Sequence, residues 1–252
     1  MDVLEQIPLV AIDGAACGGK SSFLKRAPEA LLPHGWSVSI AEESARRLIK
    51  QGMQIKHAIA AGDWERVIGH QEEILTAMIE NENRMLRCAK RDGHPKPVVL
   101  CDRGVAGIPA FLPRNREGYD HYIAMLDKVG LNPLSALDRY AGVIDLVTAA
   151  FGAGAHYVQD DERDEDLETA RMLELWTQEA WLGHQHQYII DNSTDFSGKL
   201  RRAEEALLHI LGIPESLEIE RKYLLSGVPD FSNFPVPYRA VHIEQHYLYS
   251  AG

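Results

Sequence analysis

A glycine-rich segment followed by a lysine and two serines stands near the start of the chain. It reads GAACGGKSS, and its spacing is Gly14-x-x-x-x-Gly19-Lys20-Ser21. Glycines let successive backbone N–H groups point into one concavity, and a helix that begins directly afterwards adds the partial positive charge of its N-terminus. The lysine adds a full positive charge, and the serine hydroxyl is a ligand suited to Mg²⁺. The pattern predicts a phosphate-binding loop.

The predicted ligand of this loop is ATP or GTP bound together with Mg²⁺. Lys20 would contact the β and γ phosphates, and Ser21 would contact the metal ion. The alternative is a glycine turn without a ligand, but an apolar strand before the loop and a helix after it favour the phosphate site. The residues expected to contact the nucleotide here are Gly14, Ala15, Ala16, Cys17, Gly18, Gly19, Lys20, Ser21 and Ser22.

A charged pair ends a second apolar segment, VVLCDRG. Asp102 would emerge at the carboxyl edge of a parallel sheet, where ligands of such sheets bind. There it could hold the water shell of Mg²⁺ or accept a proton, and Arg103 could bind an anion. The alternative is a structural ion pair between these two residues.

Two further strand ends carry polar side chains. Glu42 and Glu43 close the second predicted strand, where a carboxylate could act as general base toward a hydroxyl acceptor. Equally, acids are favoured in the first turn of the helix that follows. Asp191 and Asn192 end the last predicted strand, where they could face a nucleobase or start a turn.

One arginine lies within the acidic segment QDDERDED and another follows it. The composition of this segment predicts a solvated loop. Arg163 within this segment and Arg171 in the next helix could neutralise charge on a transferred phosphoryl group. Pairing with Glu168 or Glu174 on the helix face is the alternative. Acceptor binding is expected between residues 108 and 132, which contain Phe111, Tyr119, Tyr122, Arg114 and Arg116.

Composition limits the classes of function. The 252 residues are 45% apolar and 25% charged, as in ordinary globular proteins, and the net charge of −11 argues against nonspecific binding of nucleic acid. Three cysteines at unrelated spacings, Cys17, Cys88 and Cys101, suit reduced thiols better than disulfides or a zinc site. Neither a signal peptide nor a transmembrane segment is visible, so a cytoplasmic protein is expected.

The order of predicted elements indicates an α/β fold. Continuously apolar strands alternate with helices over residues 1–213, which is typical of a mainly parallel sheet covered on both faces, the three-layer P-loop arrangement. The first predicted helix starts at Lys20 and ends near Pro28. From Leu217 onward the apolar residues alternate with period two, which predicts a second, short antiparallel β segment over residues 214–252.

The first of these regions resembles the P-loop AAA-type, kinase-like domain shared by NadR-type nicotinamide riboside kinases and the insect TRPL translocation-defect protein. The likeness rests on GAACGGKSS, EESARRLI, VVLCDRG, DLVTAA, AWLGHQHQYIIDNSTDF and LGIPESLEIERKYL. It implies a second-strand carboxylate at Glu43, a pair beside the metal at Asp102 and Arg103, and a lid arginine at Arg163. Ser22 stands where that family more often has threonine.

The tail resembles the start of a CYTH domain, the triphosphate tunnel fold. Glu218, Glu220 and Lys222 match its opening pattern of alternating charges, and period two places them on one sheet face. A closed tunnel needs more strands than residues 214–252 provide, so the resemblance implies an incomplete CYTH domain, which is either part of a longer protein or a vestigial module. The alternative for these three residues is a solvated strand face.

Two functions are therefore expected. The first is a kinase-like P-loop protein that transfers phosphoryl from ATP or GTP to a small hydroxyl acceptor with Mg²⁺, or hydrolyses the nucleotide slowly. The second is a nucleotide-gated binding protein whose tail carries a lipid phosphate or polyphosphate without turnover. The first places catalytic roles on Lys20, Glu43, Asp102, Arg103 and Arg163.

Overall fold

Strands and helices alternate along the chain. A computed structural model describes residues 7–154, 157 and 166–214, and within them five strands and eight α-helices are found. The strands are β1 (Leu9–Asp13), β2 (Ser37–Ala41), β3 (Pro97–Asp102), β4 (Gly142–Leu146) and β5 (Gln187–Ile190). The helices are α1 (Lys20–Leu31), α2 (Ser44–Lys50), α3 (Ile55–Ala60), α4 (Trp64–Asp92), α5 (Arg116–Lys128), α6 (Pro133–Asp138), α7 (Leu167–Ala180) and α8 (Phe196–Ile210), with 3-10 helices at Leu32–His34 and Val105–Phe111.

The five strands form one parallel sheet in the order β2-β3-β1-β4-β5. β1 lies at the centre, where Ile12 is level with Asp102 of β3 and Asp13 is level with Asp145 of β4. The chain leaves β1 toward one side of the sheet and later returns to its other side, so the loop after β1 lies at the point where the strand order reverses. Ligands of open α/β sheets bind at such a point.

Both faces of the sheet are covered, as its continuously apolar strands require. Leu9 and Ala11 of β1 face a cluster that includes Leu75 of α4, whereas Val10 and Ile12 face a second cluster on α1 and α8. All five residues of β1 are buried. The predicted α/β fold with a parallel sheet is thereby confirmed for the described residues, and the predicted β segment after residue 214 lies outside them.

The first helix is longer than the sequence predicts. It continues through Pro28 to Leu31, because the fully buried side chains of Phe23, Ala27 and Leu31 hold it against the sheet. Proline removes one backbone donor, and this packing offsets the lost hydrogen bond. Carbonyl Pro28 O still accepts the N–H of Leu32.

Three helices, α3, α5 and α6, were not predicted. They are positioned by local contacts, as when Asn132 and Ser135 form a reciprocal capping box at the start of α6. Within the described residues, no helix is both long enough and apolar enough to cross a bilayer.

Candidate functional site

The phosphate-binding loop joins the end of β1 to the start of α1. Gly14 and Gly19 have φ values of +116° and +101°, and Cys17 has a φ of 57°. Glycine adopts positive φ without the steric cost that Cβ brings. The loop therefore curls back over the end of the sheet, and α1 begins at Lys20 with its N-terminus directed at the loop.

The loop also packs tightly against β4. A Cβ atom would lie 2.6 Å from the Leu146 carbonyl oxygen if built on Gly14, and 2.0 Å if built on Gly18. A Cβ on Gly19 would lie 2.9 Å from the ring of Phe196. These three glycines are thus required by close approach of neighbouring groups.

Lys20 lies inside the loop. Its side chain is buried, and Nζ donates hydrogen bonds to the carbonyl oxygens of Gly14 at 2.6 Å and Ala15 at 2.7 Å. The ammonium group is thereby placed at the concavity in which phosphates would bind. Among the other loop residues, Ala16 accepts a hydrogen bond from Thr148 Oγ1 at 2.6 Å, whereas Ser21 and Ser22 are exposed on the first turn of α1.

Two carboxylates hold Arg103 beside the loop. Its Nε donates to Glu43 Oε1 at 3.0 Å and its Nη1 to Asp13 Oδ1 at 3.2 Å. Burial alone would lower the pKa of this guanidinium, but the charges of Glu43, Asp13 and Asp102 outweigh it and raise the pKa. The sequence placed Glu43 and Arg103 each at the end of a strand, but it offered Asp102 as the ion-pair partner of Arg103 and did not single out Asp13.

Asp13 links this ion pair to the phosphate-binding loop. Its Oδ1 accepts the Gly14 N–H at 2.9 Å, and its Oδ2 accepts the indole N–H of the fully buried Trp181 at 2.9 Å. The signal that could have revealed it is its position, since it is the last residue of the strand that leads into the loop. The loop and Arg103 are thus oriented by the same carboxylate.

The predicted Mg²⁺ ligands have suitable chemistry. Asp102 ends β3, the strand next to β1, and Ser21 lies on the first turn of α1. A hydroxyl and a carboxylate are the oxygen donors that Mg²⁺ takes, with the remaining positions left to water and phosphate. No cluster of three or more His, Cys, Asp or Glu side chains suited to a metal occurs in residues 7–154, 157 and 166–214. The role of Ser21 and Asp102 as Mg²⁺ ligands stays a prediction that the chemistry of these two donors fits.

A buried glutamate of α7 accepts a hydrogen bond from the backbone of the phosphate-binding loop. Glu174 is fully buried, and its Oε2 accepts the backbone N–H groups of Ala15 at 2.9 Å and Thr148 at 3.0 Å. The sequence suggested Glu174 only as an ion-pair partner for a nearby arginine. The sequence pattern of α7 did not indicate that Glu174 would bind the loop, because a glutamate in an amphipathic helix is normally exposed.

Asp145 of β4 is the neighbour of Glu174. It is fully buried, and neither of its oxygens accepts a hydrogen bond from an N–H group of the described residues. Burial raises its pKa well above the usual range, and the charge of Glu174 raises it further. Asp145 therefore holds a proton at pH values where an exposed aspartate is ionised.

Asp191 and Asn192 follow β5 and have protein partners. Asp191 accepts from Ser193 and Arg202, and these bonds lower its pKa to about 2. Asn192 Nδ2 donates to the carbonyl oxygens of Thr148 at 2.8 Å and Phe151 at 2.7 Å. These contacts tie the end of β5 to the segment after β4, and contact with a nucleobase stays a prediction.

Arg171 of α7 contacts the segment that follows β4. Arg171 Nε donates to the Ala150 carbonyl oxygen at 2.8 Å, and its guanidinium lies over the Phe151 ring. Arg171 thus binds the segment after β4 in these contacts, not the glutamates of its own helix. Arg163 lies outside the described residues, so its role as a lid arginine stays a prediction.

A cavity of about 320 Å³ opens beside the carboxyl ends of β1 and β3. At its polar end it is lined by Asp13, Glu43, Asp102 and Arg103. Its walls come from α2, α3, α4, α7 and the 3-10 helix Val105–Phe111. The segment 108–132, predicted for acceptor binding, contributes four residues to this cavity, namely Ile108, Ala110, Phe111 and Leu112.

The other four side chains that the sequence singled out in that segment lie elsewhere. Tyr122 is buried in the core, and Arg114 pairs with Glu179 of α7. Tyr119 is half exposed, and Arg116 is exposed with Asp120 as its partner. None of these four lines the cavity.

The central parallel strand, the loop with Lys20 and the helix that begins there together define a P-loop nucleoside triphosphate-binding domain. A family model described as AAA domain matches residues 9–199. The chain therefore belongs to the AAA domain family. No curated protein matched the chain.

Proposed function

We propose that the chain transfers the γ-phosphoryl group of ATP or GTP to a hydroxyl group of a small molecule, with Mg²⁺. The observation that carries the proposal is the cavity of about 320 Å³ whose polar end includes Asp13, the residue directly before the P-loop. An enzyme that only hydrolyses nucleotide needs room for water, whereas a cavity of this size accommodates an organic acceptor.

The transfer proceeds by in-line displacement. The acceptor oxygen forms a bond to the γ-phosphorus while the bond from that phosphorus to the β,γ-bridging oxygen breaks, and the nucleoside diphosphate leaves. Glu43 takes the hydroxyl proton, because its carboxylate lines the cavity. Ser21 and Asp102 would hold Mg²⁺, which would supply positive charge beside the phosphates.

Arg103 and Lys20 supply positive charge in different places. Lys20, inside the loop, contacts the β and γ phosphates, and Arg163 of the acidic segment is assigned the neutralisation of charge on the transferred group, as the sequence predicts. Arg103 positions Glu43, to which it donates at 3.0 Å, through a guanidinium that Asp13 also holds. Arg103 is thus a positioning residue in this proposal, whereas the sequence assigned it to an anion.

Calorimetric titration with ATP and GTP, each with Mg²⁺, tests the nucleotide site. The Lys20→Ala variant should bind at least a hundredfold more weakly than the wild type, since it loses the charge that faces the phosphates. Lys25→Ala, on an exposed position of the same helix, is the matched control. Equal binding by wild type and Lys20→Ala would refute the site.

Measurement of nucleoside diphosphate release with and without candidate acceptors tests the transfer. Nicotinamide riboside belongs in the first panel because of the resemblance to NadR-type kinases. The nucleotide-gated alternative rests on the CYTH resemblance of residues 214–252, and Glu218, Glu220 and Lys222 lie outside the described residues. No contact among the described residues favours that alternative.

A further inference from the structure

The walls of the cavity are mainly apolar. Isoleucines contribute from three helices, namely Ile49 of α2, Ile55 and Ile59 of α3, and Ile74 of α4. Three aromatic rings also line it, namely Trp64 of α4, Phe111 of the 3-10 helix and Trp176 of α7. Such a lining stabilises a bound hydrocarbon or aromatic group by removing it from water.

The apolar surface continues to the mouth of the cavity. Ile59 is 53% exposed and Trp64 is 48% exposed, and both line the cavity. Large apolar side chains that are exposed together and rim a cavity mark a binding surface more often than isolated exposed ones. An apolar ligand that fills the cavity would cover both.

Charge in the cavity is confined to a few groups, most of them at the polar end. The lining carboxylates Asp13, Glu43 and Asp102 outnumber the lining cations Arg103 and Lys56 by three to two, and Arg103 is already paired with two of those carboxylates. An acceptor that carries its own phosphate or carboxylate would meet an excess of negative charge. The hydroxyl end of an uncharged acceptor, in contrast, can donate to Glu43.

We infer that the acceptor is an uncharged alcohol with a hydrocarbon or aromatic body, which lies between α2, α3, α4 and α7 with its hydroxyl at Glu43. The inference rests on the proposed function for the reaction, but the binding of the alcohol does not require nucleotide. The apolar lining disfavours sugars and polyols, and the three carboxylates disfavour phosphorylated acceptors. The product is a phosphate monoester of the alcohol.

Binding of primary alcohols is the first arm of the test. Ethanol, 1-butanol, 1-hexanol and benzyl alcohol are titrated into nucleotide-free protein while tryptophan fluorescence is followed, since Trp64 and Trp176 line the cavity. Glycerol and ribose serve as hydroxyl-rich comparisons. Affinity should rise about fourfold for each added CH₂ group until the cavity is full. Affinity that does not depend on chain length, or tighter binding of glycerol or ribose, would overturn the inference.

The second arm uses a matched pair of variants. Ile59→Gln replaces a wall residue that is 53% exposed, and Ile123→Gln replaces a 39% exposed isoleucine of α5 that does not line the cavity. Because both positions are exposed, both variants should fold. Ile59→Gln should weaken hexanol binding about tenfold, whereas Ile123→Gln should leave it unchanged. Equal binding by both variants would overturn the inference.

The third arm measures diphosphate release and phosphate ester formation with each alcohol and nucleotide. Product from hexanol or benzyl alcohol supports both the site and the reaction. If the alcohols bind with the expected length dependence but no acceptor of any class yields product, the apolar site stands and the proposed function fails. If product forms only with hydroxyl-rich acceptors, the proposed function stands and the inference fails.

Discussion

The carboxylate of Glu174, on α7, accepts the backbone N–H of Ala15 in the P-loop at 2.9 Å. The same oxygen accepts the N–H of Thr148 at 3.0 Å, after β4. A helix, the P-loop and a strand end thus meet at one buried oxygen atom. The conformation of the P-loop depends on a residue that lies 159 positions away along the chain.

Removing this carboxylate should destabilise the protein and loosen the loop. Glu174→Ala leaves the N–H groups of Ala15 and Thr148 buried without their acceptor, and each such loss costs about 1–3 kcal/mol. We expect a decrease of about 2–5 kcal/mol in the free energy of unfolding, measured by urea denaturation. Glu174→Gln keeps an acceptor oxygen and should lose less than half as much. Equal losses in both variants would contradict the role of this oxygen.

Asp145 should make stability depend on pH. Its folded pKa is raised by burial and by Glu174 above its ordinary value of 3.8, so the folded protein binds more protons than the unfolded chain once the pH exceeds that value. The contribution of Asp145 to stability is therefore largest below about pH 4 and is lost as the pH rises through the folded pKa.

Asp145→Asn removes this titration. The free energy of unfolding of the wild type minus that of the variant should decrease from pH 4 to pH 8, measured by urea denaturation at several pH values. Asp191→Asn, at an exposed position where the pKa is lowered instead, is the control and should give no decrease over the same range. A constant difference between wild type and Asp145→Asn would contradict the prediction.

Gly18→Ala should disrupt the P-loop through a steric clash. A Cβ at this position would lie 2.0 Å from the Leu146 carbonyl oxygen, so either the loop or β4 must move. We expect a loss of about 2–4 kcal/mol in stability together with weaker nucleotide binding. Gly69→Ala, in α4, has no neighbour within 4 Å of the added Cβ. The stability of this control should equal that of the wild type or exceed it by up to about 1 kcal/mol, because alanine is the better helix former. Equal melting temperatures for Gly18→Ala and Gly69→Ala would contradict the clash.

Glu43→Gln should reduce turnover without changing nucleotide affinity. The amide cannot take the acceptor proton, so kcat should fall about 10²- to 10⁴-fold. Glu42→Gln, at the adjacent exposed position, should retain full activity. Steady-state kinetics on both variants measures kcat, and calorimetry measures nucleotide affinity. A Glu43→Gln enzyme with wild-type kcat would remove Glu43 as the base.

The sequence predicted the parts of the fold that depend on local patterns. The apolar run before Gly14 and the alternation of strands with helices were sufficient for the parallel sheet, because buried parallel strands are apolar on both faces. The end of α1 was misplaced at Pro28, since the rule against proline in helices ignores packing of Phe23 and Leu31 against the sheet. Tertiary contacts overrode the local preference.

The site residues that lie at strand ends could be predicted from the sequence. Those that depend on which face a helix turns toward the loop could not. Glu43 lies shortly after β2 and Arg103 directly after β3, and Arg103 Nε lies 3.0 Å from Glu43 Oε1. Glu174 lies in the middle of α7, where only the packing of the helix turns it toward the loop. The walls of the cavity come from five elements spread between residues 44 and 180, and only their packing brings them together, so no local pattern could indicate them.

Transfer of radioactive phosphate from [γ-³²P]ATP or [γ-³²P]GTP, with Mg²⁺, to an organic acceptor tests the central claim most directly. The account predicts that label appears in a phosphate ester in the presence of a suitable alcohol, and that Lys20→Ala abolishes it. Label found only in inorganic phosphate, at a rate that no acceptor changes, would contradict phosphoryl transfer to a hydroxyl acceptor.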